Sequence, residues 1–322
     1  MQEKTPKVSV CVVTYNQKSY IRECLDSLIN QETDFKYEII VGDDASTDGT
    51  TQIVIDYGKR YPDLIFPILH AENIGAVRNI VETYKRAKGK YIAHMDGDDL
   101  AFPEKIQLQA DALDKNPTTV MCTHDVVVID ASSRTVSNSF KKHKQGINSL
   151  TDLYATLPFF AHSSKMFLND VNSPFYENLP SETVDIEIHV EQAKKGGIYH
   201  FDQCLGAYRA MTGITTATRG VNGLLPAATR RIFDNAMKMH CSNIDRRQLK
   251  KWYAKAMMNY AYQSAILGCN VGFKNYIKES TSICIISFLQ IFMLFAGYIP
   301  FFPFASVVGV RRTLKSLIRQ DE

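Results

Sequence analysis

One alternation constrains the fold of this chain more than any other feature. Through residue 116, short runs rich in β-branched residues take turns with stretches whose apolar positions recur at helical spacing. VSVCVVTY (8–15), EIIVG (38–42), LIFPIL (64–69) and YIAHM (91–95) read as strands. Between them, Ile21, Leu25, Leu28 and Ile29 form the i, i+4, i+7, i+8 stripe of an amphipathic helix, and TTQIVIDYGKRY and AVRNIVETYKRAKG are helical. PEKIQLQADALDKNP follows as a helix opened by Pro103 and closed before Pro117. Strands spaced by helices of this length need crossovers, so the expected fold is α/β with parallel βαβ units. Pro67 marks the third strand as an edge strand or an interrupted one.

Beyond residue 117 the pattern changes. TVMCTHDVVVIDASSRTV (119–136) reads as two strands joined by a polar turn. From about 140 to 225 short strands and loops surround one helix, DIEIHVEQAKKGG, and from about 226 the chain is helical and basic. The 45% hydrophobic and 22% charged content of the 322 residues is that of a packed globular protein. A net charge of +3 gives no basis for nucleic-acid binding. The seven cysteines form no C-x-x-C pair, so neither a zinc site nor a disulfide framework is indicated, and isolated thiols fit a reducing cytosol. MQEKTPK lacks the apolar core of a signal peptide.

The polar residues fall where such a sheet binds ligands, in the crevice beyond the strands' carboxyl ends. Strand one ends in Thr14, Tyr15 and Asn16, strand two in GDDASTDGT (42–50), and strand four in HMDGDDL (94–100). Asp96, Asp98 and Asp99 crowd into four positions, and like charges so close raise one another's pKa unless a cation joins them. Oxygen ligands of this kind suit Mg²⁺ or Mn²⁺, which commonly share their coordination with phosphate oxygens. Asp44, Ser46, Asp48 and Gly49 match the first half of an EF-hand loop, but the position needing a bidentate glutamate is Ile55, so that reading fails. Asp48 is expected to cap the second helix. Neither a P-loop nor a G-x-G-x-x-G fingerprint is present.

VSVCVVTYN, EIIVGDDASTDGT, NIGAVRN and YIAHMDGDDL, in that order, resemble the family 2 glycosyltransferases of the GT-A fold, loosely as far as residue 216. The second motif is commonly V-D-D-G-S-T-D, and this chain has Gly42 for the Val and Ala45 for the Gly. The resemblance implies a Rossmann-like mixed sheet flanked by helices, with a nucleotide-binding half (1–116), an acceptor half (117–225) and a C-terminal helical region (226–322). By matching positions, Thr14, Tyr15, Asn16 and Asp44 would cradle the uracil and ribose of a nucleotide sugar, with Arg78 near the nucleotide or its diphosphate. Asp98 of the D-x-D motif would ligate Mn²⁺ or Mg²⁺, Asp96 would face the ribose or a metal-bound water, and Asp99 would support the donor sugar.

The family's base lies in an E-D-x-D-L-x-L-R-x-A-x-x-G stretch. Ala193, Lys194, Lys195 and Gly196 align it so that the base is Asp185, although the preceding Glu is Val184; Glu182 and Glu187 are the alternatives. AYRAMTGITT resembles the Y-R-x-H block, whose arginine, here Arg209, can approach the diphosphate, while Met211 stands where a histidine ligand is usual. His94 reads as a satisfied core histidine, and His162 in FFAHSSKMF as structural, though near the acceptor site. The implied reaction is a single displacement with inversion, the base taking the acceptor hydroxyl's proton.

From Thr281 to Val310 no residue is charged, and Lys274, Lys278, Arg311, Arg312, Lys315 and Arg319 flank the run. Pro300 and Pro303 break it, and basic flanks on both sides disfavour a simple span. The expectation is apolar helical pieces in or on the cytoplasmic leaflet. By analogy the acceptor is an undecaprenyl-diphosphate-linked oligosaccharide of a bacterial O-antigen or capsule, handled at the inner face of the plasma membrane. The alternative is a nucleotide-sugar-binding homologue impaired in catalysis, on the strength of Val184 and Met211.

Overall fold

The computed structural model describes residues 5–210, 221–239 and 244–297. The chain separates into two compact units, 1–153 with 158–212, and 154–157 with 213–322. In the first unit the four expected strands are β1 (Val8–Thr14), β2 (Tyr37–Asp43), β3 (Ile65–Leu69) and β4 (Tyr91–Asp96). They pair in parallel in the order β3-β2-β1-β4, with β3 outermost, where a proline can sit without interrupting the ladder on both sides. Helices α1 (Ile21–Ile29), α2 (Thr50–Arg60), α3 (Ala76–Lys85) and α4 (Lys105–Lys115) match the apolar stripes.

The sheet then turns mixed. After the two-residue β5 (Leu100–Ala101) come β6 (Thr119–Ile129), the short β7 (Thr135–Ser137) and β8 (Gly146–Asn148), α5 (Leu150–Thr156), β9 (Met166–Leu168), α6 (Pro174–Glu177), α7 (Asp185–Ala193) and β10 (Gly197–Arg209). The order continues β4-β9-β6-β10-β5. β9 is antiparallel to both β4 and β6, and β6 and β10 are parallel. The expected hairpin over 119–136 is the antiparallel β6–β7 pair. Inserting β9 beside β4 carries a non-local segment to the end of the D-x-D strand, which no local periodicity announces.

Val10, Val12, Ile39, Val41, Ala93 and Met95 are buried between the helical layers and form the core with Leu25, Leu28, Ile53 and Ile106. Two departures from the common motif have local causes. A Cβ at Gly42 would collide with Thr83 Oγ1 and Asn79 Oδ1, because α3 packs polar side chains on this strand; Asn79 donates to the Gly42 carbonyl at 2.9 Å. Ala45 takes the left-handed φ of +58° that glycine normally supplies. The left-handed Cβ clash costs about 1–2 kcal/mol and the extra chain entropy of glycine about 0.5–1 kcal/mol. Ala45→Gly is therefore expected to stabilise the protein by about 0.5–1 kcal/mol, read as a raised urea midpoint at unchanged slope. Asp48 does serve the start of α2: Gly49 occupies the cap position, and the Asp48 carboxylate accepts the Thr50 amide at 2.9 Å.

The second unit contains α8 (Leu224–Lys238), α9 (Arg246–Ile266), α10 (Asn270–Ile283) and α11 (Phe288–Ala296). Ala261, Ala265, Phe273, Ile277 and Met293 make its core, Phe233 stacks on Tyr253, and Arg230 grips Glu279 through two 2.7 Å bonds. The apolar run starting at Thr281 is divided: α10 ends at Ile283, and α11 buries Gln290, Met293 and Ala296 while Phe288 and Phe295 are exposed. No helix among the described residues is long and apolar enough to cross a membrane. Residues from 298 onward, including Pro300 and the basic flank, lie outside the described residues.

Candidate active site

The carboxyl ends of β1, β2 and β4 form one edge. Thr14 Oγ1 donates to Gln17 Oε1 at 2.8 Å, and Tyr15 is exposed. Asn16 sits at φ +51°, a conformation asparagine tolerates. Its amide donates to Ser46 Oγ at 2.9 Å and its Oδ1 accepts the Thr47 amide at 2.8 Å, so the loops after β1 and β2 are stitched together. Asp43 is turned inward, its oxygens taken by the Ser46 and Thr51 hydroxyls. Asp44 receives the amides of Ile74 at 2.7 Å and Gly75 at 3.1 Å, which fixes the start of α3 beside the edge. Arg78 lies exposed in the first turn of α3.

Around the third strand end, the Gly97 amide donates to the Val13 carbonyl at 2.9 Å, and the Asp99 amide to the Asp96 carbonyl at 3.0 Å. A Cβ at Gly97 would lie 2.6 Å from Gln17 Oε1 and 2.9 Å from Thr14 Cβ, so only glycine lets this turn close on β1. The three aspartates differ. Asp98 is 7% exposed. Asp99 points inward: Oδ1 accepts the Arg209 amide at 2.8 Å, and Oδ2 is buried without a hydrogen-bond partner. Burial, then the charges of Asp96 and Asp98, hold its carboxyl well above the usual range. Burial also acts to raise Asp96, but the His94 ring, the Ser163 hydroxyl and Lys165 outweigh it and leave that carboxyl low. Carboxylates this close repel one another, which a divalent cation would relieve, and Asp98 and Asp96 are the residues that would hold it.

Arg209 is placed beneath this turn and wholly buried. Its Nε donates to the Asp98 carbonyl at 2.8 Å, Nη1 to the Asp130 carbonyl and Ser133 Oγ at 3.0 Å each, and Nη2 to Glu23 at 2.8 Å. Its guanidinium lies 4.6 Å from the Tyr20 ring centre. The arginine therefore joins α1, the aspartate turn and the end of β6. Met211, one of the two departures noted in the sequence, lies outside the described residues.

Asp185 opens α7, and its side chain is 38% exposed. Desolvation by the polypeptide around it, with Asp96 adding, raises its carboxyl above the usual value against the pull of the Ile186 amide and Lys165. Of the alternatives, Glu187 accepts the Val184 amide at 3.1 Å as part of the helix start, and Glu182 is exposed in the preceding loop. Asp185 faces a short 3₁₀ turn, His162–Ser164. His162 Nδ1 lies 3.7 Å from Asp185 Oδ2 and 3.0 Å from His189 Nε2. Ser163 Oγ accepts the Asp96 amide at 2.9 Å and donates to Asp96 Oδ2 at 3.1 Å. Lys165, fully buried, is pushed down to about 7 by burial against the attraction of Asp185 and Asp96.

The HSSK segment thus joins the D-x-D aspartate to Asp185. Sequence reading placed His162 near the acceptor but gave it only a structural part, and it passed over Ser163, Lys165 and His189. The one signal was a histidine followed by two hydroxyls and a lysine inside an otherwise apolar stretch. A cavity of about 440 Å³ at the β2–β3 edge, lined by Glu38, Phe66, Arg86 and Lys88 among others, involves none of these strand-end residues.

Comparisons with known proteins bear on the fold and the family. An uncharacterized Mycobacterium tuberculosis protein is 34% identical over 205 residues, 63% of this chain and 58% of that protein, so the chain spans well under two thirds of that relative. A Bacillus subtilis protein bearing the name glycosyltransferase EpsH is 26% identical over 279 residues, 86% of this chain and 73% of its own. Among solved structures, S. aureus TarS 1–349 in complex with UDP-GlcNAc superposes with a TM-score of 0.65 at 19% identity, covering 98% of this chain and 92% of TarS 1–349. The Pyrobaculum calidifontis mannosyltransferase PcManGT, in complex with GDP-Man and Mn²⁺, gives 0.51 at 17%, covering 97% of this chain and 81% of its own. Both are likenesses of fold. The model of glycosyl transferase family 2 matches residues 9–173, more than half of the 322. This chain belongs to glycosyl transferase family 2.

Proposed function

We propose that the first unit is an inverting, divalent-metal-dependent glycosyltransferase that moves a sugar from a nucleotide donor, of the UDP class, to a hydroxyl of a lipid-linked glycan. The observation that carries this reading is the HSSK bridge: it sets a raised-pKa carboxylate, Asp185, across from a metal-type aspartate turn at the edge where three strands end. On this reading Thr14, Tyr15, Asn16 and Asp44, at the ends of β1 and β2, would hold the nucleoside, and the exposed Arg78 would meet the diphosphate. Asp185 takes the proton of the acceptor hydroxyl as its oxygen attacks the anomeric carbon, and the bond from that carbon to the diphosphate oxygen breaks on the opposite face. Mn²⁺ or Mg²⁺ held by Asp98 and Asp96 would supply neutralisation of the departing diphosphate. Asp99 and Arg209 act as struts that hold the turn.

Fold likeness to the UDP-GlcNAc complex of TarS and to the Mn²⁺ complex of PcManGT supports the donor class and the metal. The lipid-linked acceptor and a place at the inner membrane face rest on the apolar run itself and on the exposed Ile285, Phe288 and Phe295. The test is a calorimetric titration of the protein with a panel of nucleotide sugars, with and without Mn²⁺. One UDP-sugar should bind only with Mn²⁺, and Asp98→Asn should abolish that Mn²⁺-dependent binding. No binding of any nucleotide sugar in either condition would remove the reading.

A further inference from the structure

We infer that Phe140 and Tyr208 form the subsite for the acceptor's terminal sugar, a pyranose ring that lays a C–H face on Phe140 and accepts a hydrogen bond from the Tyr208 hydroxyl. This deepens the proposed transfer reaction and rests on that reading. β9 is antiparallel to both β4 and β6, and β6 is parallel to β10, so β10 ends at the same edge as β1, β2 and β4. Tyr208 is the last residue but one of β10. Its neighbour Arg209 donates its amide to Asp99 Oδ1 at 2.8 Å, which brings this strand end against the aspartate turn.

Successive side chains of a strand point to opposite faces. Arg209 is wholly buried beneath the turn, whereas Tyr208 points the other way and is only partly buried. Burial, then the charges of Asp99, Asp96, Asp98 and Asp185, push its phenol up to about 12, so it keeps its proton and can donate. Among the described residues no hydrogen bond occupies that hydroxyl, although a phenol at such a depth ordinarily finds a partner. The Phe140 ring, in the segment between β7 and β8, meets the Tyr208 ring edge to face with centres 5.6 Å apart, and it stays 39% exposed. Its backbone is tied down on both sides. The Phe140 amide donates to Asp125 Oδ1 at 3.0 Å, the Ser139 hydroxyl donates to the same carboxylate, and Lys141 Nζ donates to the Pro158 carbonyl at 2.9 Å. An aromatic ring already fixed in place loses little freedom when a ligand covers it.

Position along the edge selects the acceptor's sugar over the donor's. The sheet order runs β3-β2-β1-β4-β9-β6-β10-β5. The residues assigned to the nucleoside stand at β1 and β2, and the metal-type turn follows β4. The aromatic pair stands beyond that turn, on β10 and on the segment after β7, so it is on the side away from the nucleoside. The charge of Asp185 also reaches the Tyr208 phenol, which ties the pair to the base as well as to the turn. An exposed aromatic face beside one fixed hydroxyl is the lining of a site for an uncharged ring with few polar contacts, and a pyranose has both the C–H face and the oxygens.

The probes are the methyl glycosides of glucose, galactose, mannose, rhamnose and N-acetylglucosamine, added to the full chain with UDP and Mn²⁺ and read by saturation-transfer difference NMR. At least one should take up saturation, strongest on the protons of one ring face. Phe140→Ala should weaken its binding by about tenfold, and Tyr208→Phe, which removes one hydroxyl, by about fivefold. Phe140→Tyr keeps the ring and should bind like the unsubstituted protein. Far-UV circular dichroism checks that each variant folds. The inference is overturned if no glycoside takes up saturation, or if saturation is unchanged in both Phe140→Ala and Tyr208→Phe. It is also overturned if Phe140→Ala loses Mn²⁺-dependent nucleotide-sugar binding while keeping that of UDP, since the pair would then hold the donor's sugar. Nucleotide-sugar binding by the unsubstituted protein is scored separately. If that is absent while a glycoside binds on Phe140 and Tyr208, the transfer reaction fails and the sugar subsite stands.

Discussion

Asp185→Asn is expected to lower sugar transfer by about 10²–10⁴-fold, the usual contribution of a positioned general base. Donor binding in Mn²⁺ should stay within a few-fold of the unsubstituted protein, because the carboxylate lies beside His162, not in the stitched loops proposed to hold the nucleoside. The amide keeps the shape of the side chain and its place against the Ile186 amide, so the loss reports the missing proton acceptor. The pH profile carries the same information. Desolvation by the surrounding polypeptide, with the charge of Asp96 adding, raises the Asp185 carboxyl, and a base works only when ionised, so kcat/KM should fall on the acid side at a pH above the usual carboxylate range. That limb should vanish from the residual activity of Asp185→Asn. Undiminished transfer by the variant would remove Asp185 as the base. Lost donor binding instead would mean that the residue shapes the nucleotide pocket.

Arg209→Ala should produce the largest loss of stability. The guanidinium satisfies the buried carbonyl of Asp98, the part-buried carbonyl of Asp130 and the Ser133 hydroxyl, and it pairs with Glu23. Alanine leaves two carbonyls without that donor, a hole under the aspartate turn, and Glu23 without its cation. Each buried acceptor left without its donor costs about 1–3 kcal/mol and the half-exposed Glu23 adds little, so a loss of about 3–5 kcal/mol is expected. Urea denaturation measures it. Arg209→Lys should recover less than half, because one ammonium cannot reach partners spread over the fork of a planar guanidinium. In whatever fraction folds, Mn²⁺-dependent donor binding should also weaken, since the Asp98 carbonyl and the Asp99 carboxylate are anchored by this residue. A loss below about 1 kcal/mol would mean the network is loosely held in solution.

The sequence by itself determined the elements of the first half and their edge. Period-2 and period-3.6 patterns are local, so β1 to β4 and α1 to α4 could be read directly, and the rule that ligands collect at strand carboxyl ends put Thr14, Asp44 and Asp96 together before any coordinates. The helix that Asp185 opens was legible from its motif. The direction of Arg209 was not legible, since nothing local says whether an arginine at a strand end faces a diphosphate or the floor beneath it. The link from Asp96 through Ser163 and His162 to Asp185 was equally hidden, because it spans 67 residues between Asp96 and Ser163 and depends on β9 inserting antiparallel beside β4. Pairing between distant strands is settled by which backbone groups and side chains find partners once the core closes, and only the tertiary structure records that choice.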